Sequence, residues 1–225
     1  MSDRQMPIRA VIFDKDGTLH DTEQVFDRAW RLAADEFGVP DMDTTIKDCT
    51  GRTLPDIATY WNAKYPDIPF ETYIPRRQYY FNAIIEGGIP VKEGAYELLE
   101  YLKTHGYHVG LATSTGYEAS MEHLRRTGMV DYFDKDAIVT GDMIQNGKPA
   151  PDIFLLSAAR MGVDPSLCVG VEDSLNGVRA IHAAAMRPVM IPDMIPPTPE
   201  VEALLWRKCR DLAELQAIIV ERHGE

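Results

Sequence analysis

Basic charge is what this chain has least of. Its 23 Lys and Arg stand against 35 Asp and Glu, a formal charge of 23 − 35 = −12. Nowhere do the cations gather into a run. Gripping a phosphate backbone needs clustered Lys and Arg, so nucleic acid is excluded as the expected partner. Adhesion to anionic membranes is excluded on the same ground.

Cysteine is also scarce. Cys49, Cys168 and Cys209 are odd in number and far apart, with no CxxC and no Cys/His cluster. That excludes a disulfide framework and a zinc ribbon, and it fits reduced thiols in a cytoplasmic protein. No apolar run approaches the roughly 18 residues of a membrane span. Residues 1–10 carry no apolar core of the signal-peptide kind. Internal repeats and low-complexity tracts are absent as well. The expectation is a cytoplasmic monomer.

What is present is ordinary globular composition, 45% hydrophobic and 26% charged, which argues against disorder. At roughly 150 residues per domain, 225 residues make one domain and a smaller second. A chain of this size buries roughly 70–75% of its unfolded surface and needs no staples.

Five short apolar, β-branched runs read as strands buried on both faces. They are Arg9–Phe13, Tyr107–Ala112, Ala137–Thr140, Leu167–Val171 and Pro188–Ile191. Helical patterns separate the later ones. Ala95–His105 stops at Gly106, Tyr117–Thr127 at Gly128, and Asp152–Met161 at Gly162, the usual place for a terminating glycine. Thr115 and Glu118 have the spacing of a capping box. Pro151 fits a first-turn proline. Strand and helix in alternation imply a parallel α/β sheet.

The stretch between residues 13 and 108 breaks the alternation. Glu23–Phe37, Leu54–Lys64 and Phe70–Glu86 read as helices, with breaks at Pro66, Pro69, Gly87, Gly88 and Pro90. This is a helical insertion after the first strand. It accounts for the smaller second domain. The Pro196-Pro197-Thr198-Pro199 segment is a rigid turn.

Polar groups collect at strand ends, where open parallel sheets bind ligands. Asp14-Lys15-Asp16-Gly17-Thr18 follows the first strand and Thr113-Ser114-Thr115 the second. Gly147-Lys148-Pro149-Ala150-Pro151-Asp152 precedes a helix, and Glu172-Asp173-Ser174 follows the fourth strand. Each alone has a bland reading: an Asp-Gly turn, a helix cap, a solvated lysine. Together they converge on one crevice. Of two carboxylates two residues apart, one can be a nucleophile and the other an acid and then a base. Gly17 permits a tight turn with close backbone approach to a ligand. Thr113 and Ser114 sit before a helix N-terminus, a favourable place for phosphate. Lys148 adds a fixed positive charge on a proline-stiffened loop. Four clustered acids repel, so a hard cation with oxygen ligands is expected, Mg²⁺ first among them.

These motifs resemble the haloacid dehalogenase superfamily of phosphotransferases. The resemblance is to the subgroup with a helical cap after the first strand, which includes β-phosphoglucomutase and phosphoglycolate phosphatase. All four motifs occur in order, and the resemblance covers nearly the whole chain. It implies an α/β fold, a Rossmann-like parallel sheet core with an inserted α-helical cap. The expected core is residues 1–21 and 91–225, and the expected cap 22–90. Asp14 then matches the nucleophile that becomes an aspartyl phosphate. Asp16 matches the general acid and base, and its backbone carbonyl also binds the metal. Thr113 matches the hydroxyl that holds the phosphoryl group, helped by the Ser114 backbone. Lys148 matches the balancing cation. Asp173, with Glu172 beside it, matches the acidic motif that places Mg²⁺. The expected metal set is therefore Asp14, Asp16, Asp173 and Glu172.

Within this resemblance the expected activity is a Mg²⁺-dependent phosphatase acting on a small phosphorylated metabolite, such as a sugar phosphate or phosphoglycolate. Dehalogenation needs no second aspartate, so Asp16 disfavours it. A Schiff-base phosphonatase needs a cap lysine, and Lys47 and Lys64 match no such context. The rival is a mutase of the β-phosphoglucomutase type. Asp21–Trp30 resembles the start of its cap, but Phe26 stands where the mutase carries a histidine that holds off water. A phosphorylated signalling receiver shares the acids, hydroxyl and lysine, but such a module has no helical insertion after strand one. Thr50-Gly51-Arg52-Thr53 resembles the cap loop that reaches the site, so Arg52 is a candidate for binding a second anionic group. Arg76 and Arg77 are weaker ones. Trp61, Tyr79, Tyr80, Met121, Met129 and Met161 read as core. Lys15, by strand alternation, points away from both carboxylates toward cap or solvent. His20 reads as an exposed or hydrogen-bonded histidine.

Overall fold

The computed structural model describes residues 7–49 and 54–223. The chain divides into two compact units, one running to His20 and resuming at Val91, the other Asp21–Pro90. The Asp21 N–H donates to the Pro90 carbonyl at 2.9 Å, joining the two ends of the smaller unit.

In chain order the elements are β1 (Ala10–Phe13), α1 (Glu23–Phe37), α2 (Met42–Cys49), α3 (Leu54–Lys64) and α4 (Phe70–Glu86). Then come α5 (Ala95–Thr104), β2 (His108–Thr113), α6 (Tyr117–Arg126), β3 (Ile138–Thr140) and α7 (Asp152–Met161). They are followed by β4 (Cys168–Glu172), α8 (Leu175–Ala183), β5 (Arg187–Met190), α9 (Pro199–Glu202), β6 (Arg207–Lys208) and α10 (Leu212–His223).

The larger unit is a six-stranded, fully parallel sheet in the order β3-β2-β1-β4-β5-β6. β1 lies inside, paired with β2 on one edge and β4 on the other, Phe13 opposite Leu111 and Val171. The strand order reverses beside β1, so its carboxyl end opens the crevice where such sheets bind ligands. Alternation along β1 divides the core in two. Val11 and Phe13 pack with Leu98, Leu102, Leu124 and Leu215, from α5, α6 and α10. Ala10 and Ile12 pack with Ile153, Phe154 and Ile181, from α7 and α8. Both faces are covered, which is why these strands read as continuous apolar runs.

The smaller unit is helical. α1 and α4 pack along each other, and Trp30, Phe70, Tyr73 and the fully buried Trp61 fill the space between helices. Trp61 Nε1 donates to the Ile68 carbonyl at 2.7 Å. A second cluster joins Val25, Ala29, Phe81 and Ile85. Tyr79 departs from the core reading: it is 56% exposed, and its ring lies against the Arg76 guanidinium.

Candidate active site

The site is built on the carboxyl end of β1 and its two neighbours. β1 ends at Phe13, and the Asp14 N–H still bonds to the Val171 carbonyl at 2.9 Å. Asp14 therefore sits on the last rung of the central ladder and is 6% exposed. The chain then coils, with the N–H groups of Leu19 and His20 both donating to the Lys15 carbonyl. Gly17 holds this coil at φ 85°, and a Cβ there would run into the Asp173 carboxylate. The Thr18 hydroxyl donates to Asp173 Oδ1 at 3.3 Å, so the first and fourth motifs touch.

Lys148 reaches Asp14 Oδ1 at 2.5 Å and Glu172 Oε1 at 2.7 Å. Its ammonium also lies 5.2 Å from the centroid of the Phe154 ring. Glu172 is the last residue of β4, and its other oxygen accepts the Ser174 N–H at 2.7 Å. Gly177, in the first turn of α8, leaves room for that carboxylate; a Cβ there would collide with it. Both Glu172 oxygens are thus engaged by the protein. One of these contacts anchors Lys148.

Burial pushes the Asp14 carboxyl up to about 8; Lys148 pulls it down, while the charges of Glu172 and Asp16 push it further up. Burial also opposes the Lys148 charge, but Asp14 and Glu172 outweigh it and hold the ammonium above its ordinary range.

Asp16 is gripped differently. Its Oδ2 accepts the Thr115 hydroxyl at 2.7 Å and lies 3.1 Å from Lys15 Nζ. Burial works to raise this carboxyl, yet Lys15 and the Thr115 hydrogen bond hold it below the usual carboxylate range. Here two sequence expectations fail. Thr115 does not cap α6, whose N-cap is Gly116 with no side-chain cap. The first-turn N–H of Tyr117 is instead satisfied by Asp142 Oδ2 at 3.1 Å. Lys15 is fully buried rather than turned to solvent, because strand alternation stops at Phe13. Its ammonium meets Asp16 and, at 3.2 Å, Nδ1 of His123 on α6.

His20 is buried too. Its Nε2 lies 3.3 Å from Thr127 Oγ1, whose own proton goes to the His123 carbonyl at 2.9 Å. The Thr127 hydroxyl therefore accepts from Nε2–H, and His20 Nδ1 has no hydrogen-bond partner among the described residues. Burial pushes His20 down to about 4, and Lys15 adds to the shift. Burial, then Lys15, lowers His123 as well.

Thr113 ends β2, buried, with its hydroxyl accepting the Thr115 N–H at 3.2 Å; Ser114 beside it is exposed. The Lys148–Pro149 peptide bond is cis. Arg52 lies outside the described residues. Arg76 is spent on Glu36 at 2.8 Å, and Arg77 lies over the rings of Phe26 and Trp30.

A model of the haloacid dehalogenase-like hydrolase family matches residues 8–185, which takes in Asp14, Asp16, Thr113, Lys148 and Asp173. The chain belongs to the haloacid dehalogenase-like hydrolases. It is an enzyme of this family's phosphatase and phosphosugar-mutase kind. The hydrolase is 34% identical over 183 residues to the phosphorylated carbohydrates phosphatase of Thermotoga maritima, across 80% of this chain and 82% of the relative. It is 33% identical over 187 residues to the β-phosphoglucomutase of Bacillus subtilis, across 80% of this chain and 81% of that one. The crystal structure of CbbY from Rhodobacter sphaeroides in complex with phosphate superposes with a TM-score of 0.75 at 28% identity, covering 92% of this hydrolase and 96% of CbbY.

Among the described residues no helix is long and apolar enough to cross a membrane. The three cysteines of the hydrolase are buried and form no disulfide. Sequence reasoning overlooked Thr18, Thr115 and His123. Thr18 and Thr115 stand within the motifs that carry the acids, which was the available signal; His123 gave none.

Proposed function

We propose that this hydrolase is a divalent-cation-dependent phosphatase that cleaves a small phosphorylated metabolite through an aspartyl phosphate on Asp14. The observation that carries the reading is the Asp14–Lys148 ion pair at 2.5 Å, on the last rung of β1, with Asp16 two residues on. Phosphoryl transfer is mostly positioning and charge neutralisation, and these residues supply both.

The Asp14 carboxylate attacks phosphorus. The bond to the leaving oxygen breaks as Asp16, a carboxylate in the free enzyme that takes up a proton when the substrate's phosphate binds, gives that proton to the leaving oxygen, releasing the alcohol. Water then attacks the phosphorus of the Asp14 acyl phosphate. Asp16, now a carboxylate, takes the proton from that water, and inorganic phosphate leaves. Lys148 offsets charge on Asp14 and on the transferring group. Thr113 and the Ser114 backbone would hold the phosphoryl oxygens.

A divalent cation fits the donors. With Asp14 ionised, as holding the ion requires, Asp14, Asp16, Glu172 and Asp173 carry four formal negative charges and Lys15 and Lys148 two positive, so 2 − 4 = −2 is left, the charge one such ion neutralises. The Asp14 and Asp173 carboxylates and the Asp16 carbonyl would hold it. These are hard oxygens suited to Mg²⁺. When bound, the cation would neutralise charge on Asp14 and on the phosphoryl group.

The mutase reading is disfavoured at Phe26. Its ring stacks on Phe81 at 4.3 Å and offers no titratable nitrogen where the mutase subgroup carries a histidine. The Thermotoga relative's name points to phosphorylated carbohydrates as the substrate class to try first. Phosphate release should be measured over a panel of phosphometabolites, with Asp14→Asn as control. The variant should fold normally and release none; retained turnover of any substrate would sink the mechanism. β-Glucose 1-phosphate with a bisphosphate activator should yield mainly free phosphate. Efficient formation of glucose 6-phosphate would establish the mutase instead.

A further inference from the structure

Lys15 is the buried charge that this reaction leaves unused. An ammonium withdrawn from water must find acceptors, and Lys15 finds two: Asp16 Oδ2 at 3.1 Å and His123 Nδ1 at 3.2 Å. His123 accepts through its Nδ1 lone pair, so it is the neutral Nε2–H tautomer. Asp16, His20 and His123 bring ligand atoms within 4.8 Å of one another, a spacing that would suit a metal ion. The Lys15 ammonium already lies against two of the three. This cluster carries its own tethered cation.

Asp16 Oδ2 takes a second donor, the Thr115 hydroxyl at 2.7 Å. A carboxylate on a one-carbon stem can rotate about its terminal bond. Two donors converging on one oxygen, one of them charged, stop that rotation. A general acid must present an oxygen within hydrogen-bond reach of the atom it protonates.

We propose that Lys15 is a positioning residue: with Thr115 it clamps Oδ2 of Asp16 and turns Oδ1 toward the leaving-group oxygen. His123 props the ammonium from α6. The role rests on the phosphatase reading, since it concerns the proton that Asp16 delivers.

The test uses leaving groups of different need. An alkoxide must be protonated as it departs, whereas p-nitrophenolate departs without a proton. In Lys15→Met, kcat/KM for an alkyl phosphate should fall at least about tenfold further than kcat/KM for p-nitrophenyl phosphate. Equal falls on both substrates, or no fall on either, would overturn the proposal. The alkyl phosphate is the best substrate of the panel; a wild-type enzyme that releases phosphate from no panel member would overturn the phosphatase reading, and this role with it. Should Lys15→Met not fold, His123→Leu and His123→Gln decide the matter. The leucine removes the acceptor and should show the same leaving-group signature. The glutamine keeps an acceptor and should restore wild-type selectivity. Identical behaviour of the two would overturn the proposal.

Discussion

Glu172 and Lys148 form an ion pair at 2.7 Å, with side chains 2% and 7% exposed. Glu172 is strand-borne and further tied to the Ser174 N–H, whereas Lys148 comes from a loop. The strand therefore aligns the loop lysine on Asp14. Lys148→Met would leave Asp14 and Glu172 buried with no ammonium between them. Removing one partner of a buried pair costs about 3–5 kcal/mol. We expect a loss of that order in urea unfolding and phosphate release down by more than roughly 10²-fold. A variant as stable and as active as wild type would show that the ammonium carries neither role.

His20 makes an acid limb to stability. Its imidazole titrates near 6.5 when unfolded and is pushed down to about 4 in the folded protein by burial and by Lys15. Between those values the unfolded chain binds the extra proton, so stability falls as pH drops from 6.5 toward 4. A shift of this size corresponds to about 3 kcal/mol at the acid end. In His20→Leu the difference in unfolding free energy between pH 7 and pH 4.5 should shrink. An unchanged difference would mean that His20 is protonated inside the fold.

Cation removal should act on both activity and stability. Dialysis against EDTA should abolish phosphate release and lower the melting temperature, and Mg²⁺ should restore both. At a hundredfold excess over its dissociation constant, a ligand adds about 2.7 kcal/mol to stability. Burial holds Asp14 near 8 without the ion, so binding at neutral pH should release protons. Calorimetry in buffers of different ionisation enthalpy measures this release. Full activity in EDTA, or proton uptake on binding, contradicts the assignment.

Much of this architecture is legible in the sequence, for a physical reason. Strands covered on both faces must be apolar throughout, so β1 through β5 announce themselves. β6 is two residues, Arg207 and Lys208, at the sheet edge, and has no apolar run to show. α7 begins and ends where its proline and glycine place it, and α1, α3 and α4 keep their expected bounds. α2, α8 and α9 lack so plain a stop. Within the site, Asp14 and Lys148 form an ion pair, and Asp16 follows two residues on. Thr115 and Lys15 do not behave as local rules suggest, because partners distant in sequence claim them. Thr115 has the spacing of a cap, but Asp16, 99 residues earlier, takes its hydroxyl. His123 looks like one polar position on an amphipathic helix until α6 is laid against the turn after β1. Glu172 and Asp173 are adjacent acids in sequence, but Glu172 ends β4 and meets Lys148, whereas Asp173 lies past the strand and meets the Thr18 hydroxyl.

The pairing of β1 on both edges has a consequence for fluctuation. Hydrogen bonds within a sheet interior break only in the rarest, most global openings, whereas loop contacts open with little cost. The Asp14 amide belongs to that interior ladder, and the Lys148 loop does not. The proposed nucleophile is therefore tied to a ladder of the kind that exchanges slowest. Breathing of the loops can come and go around a reacting carboxylate that stays where it is.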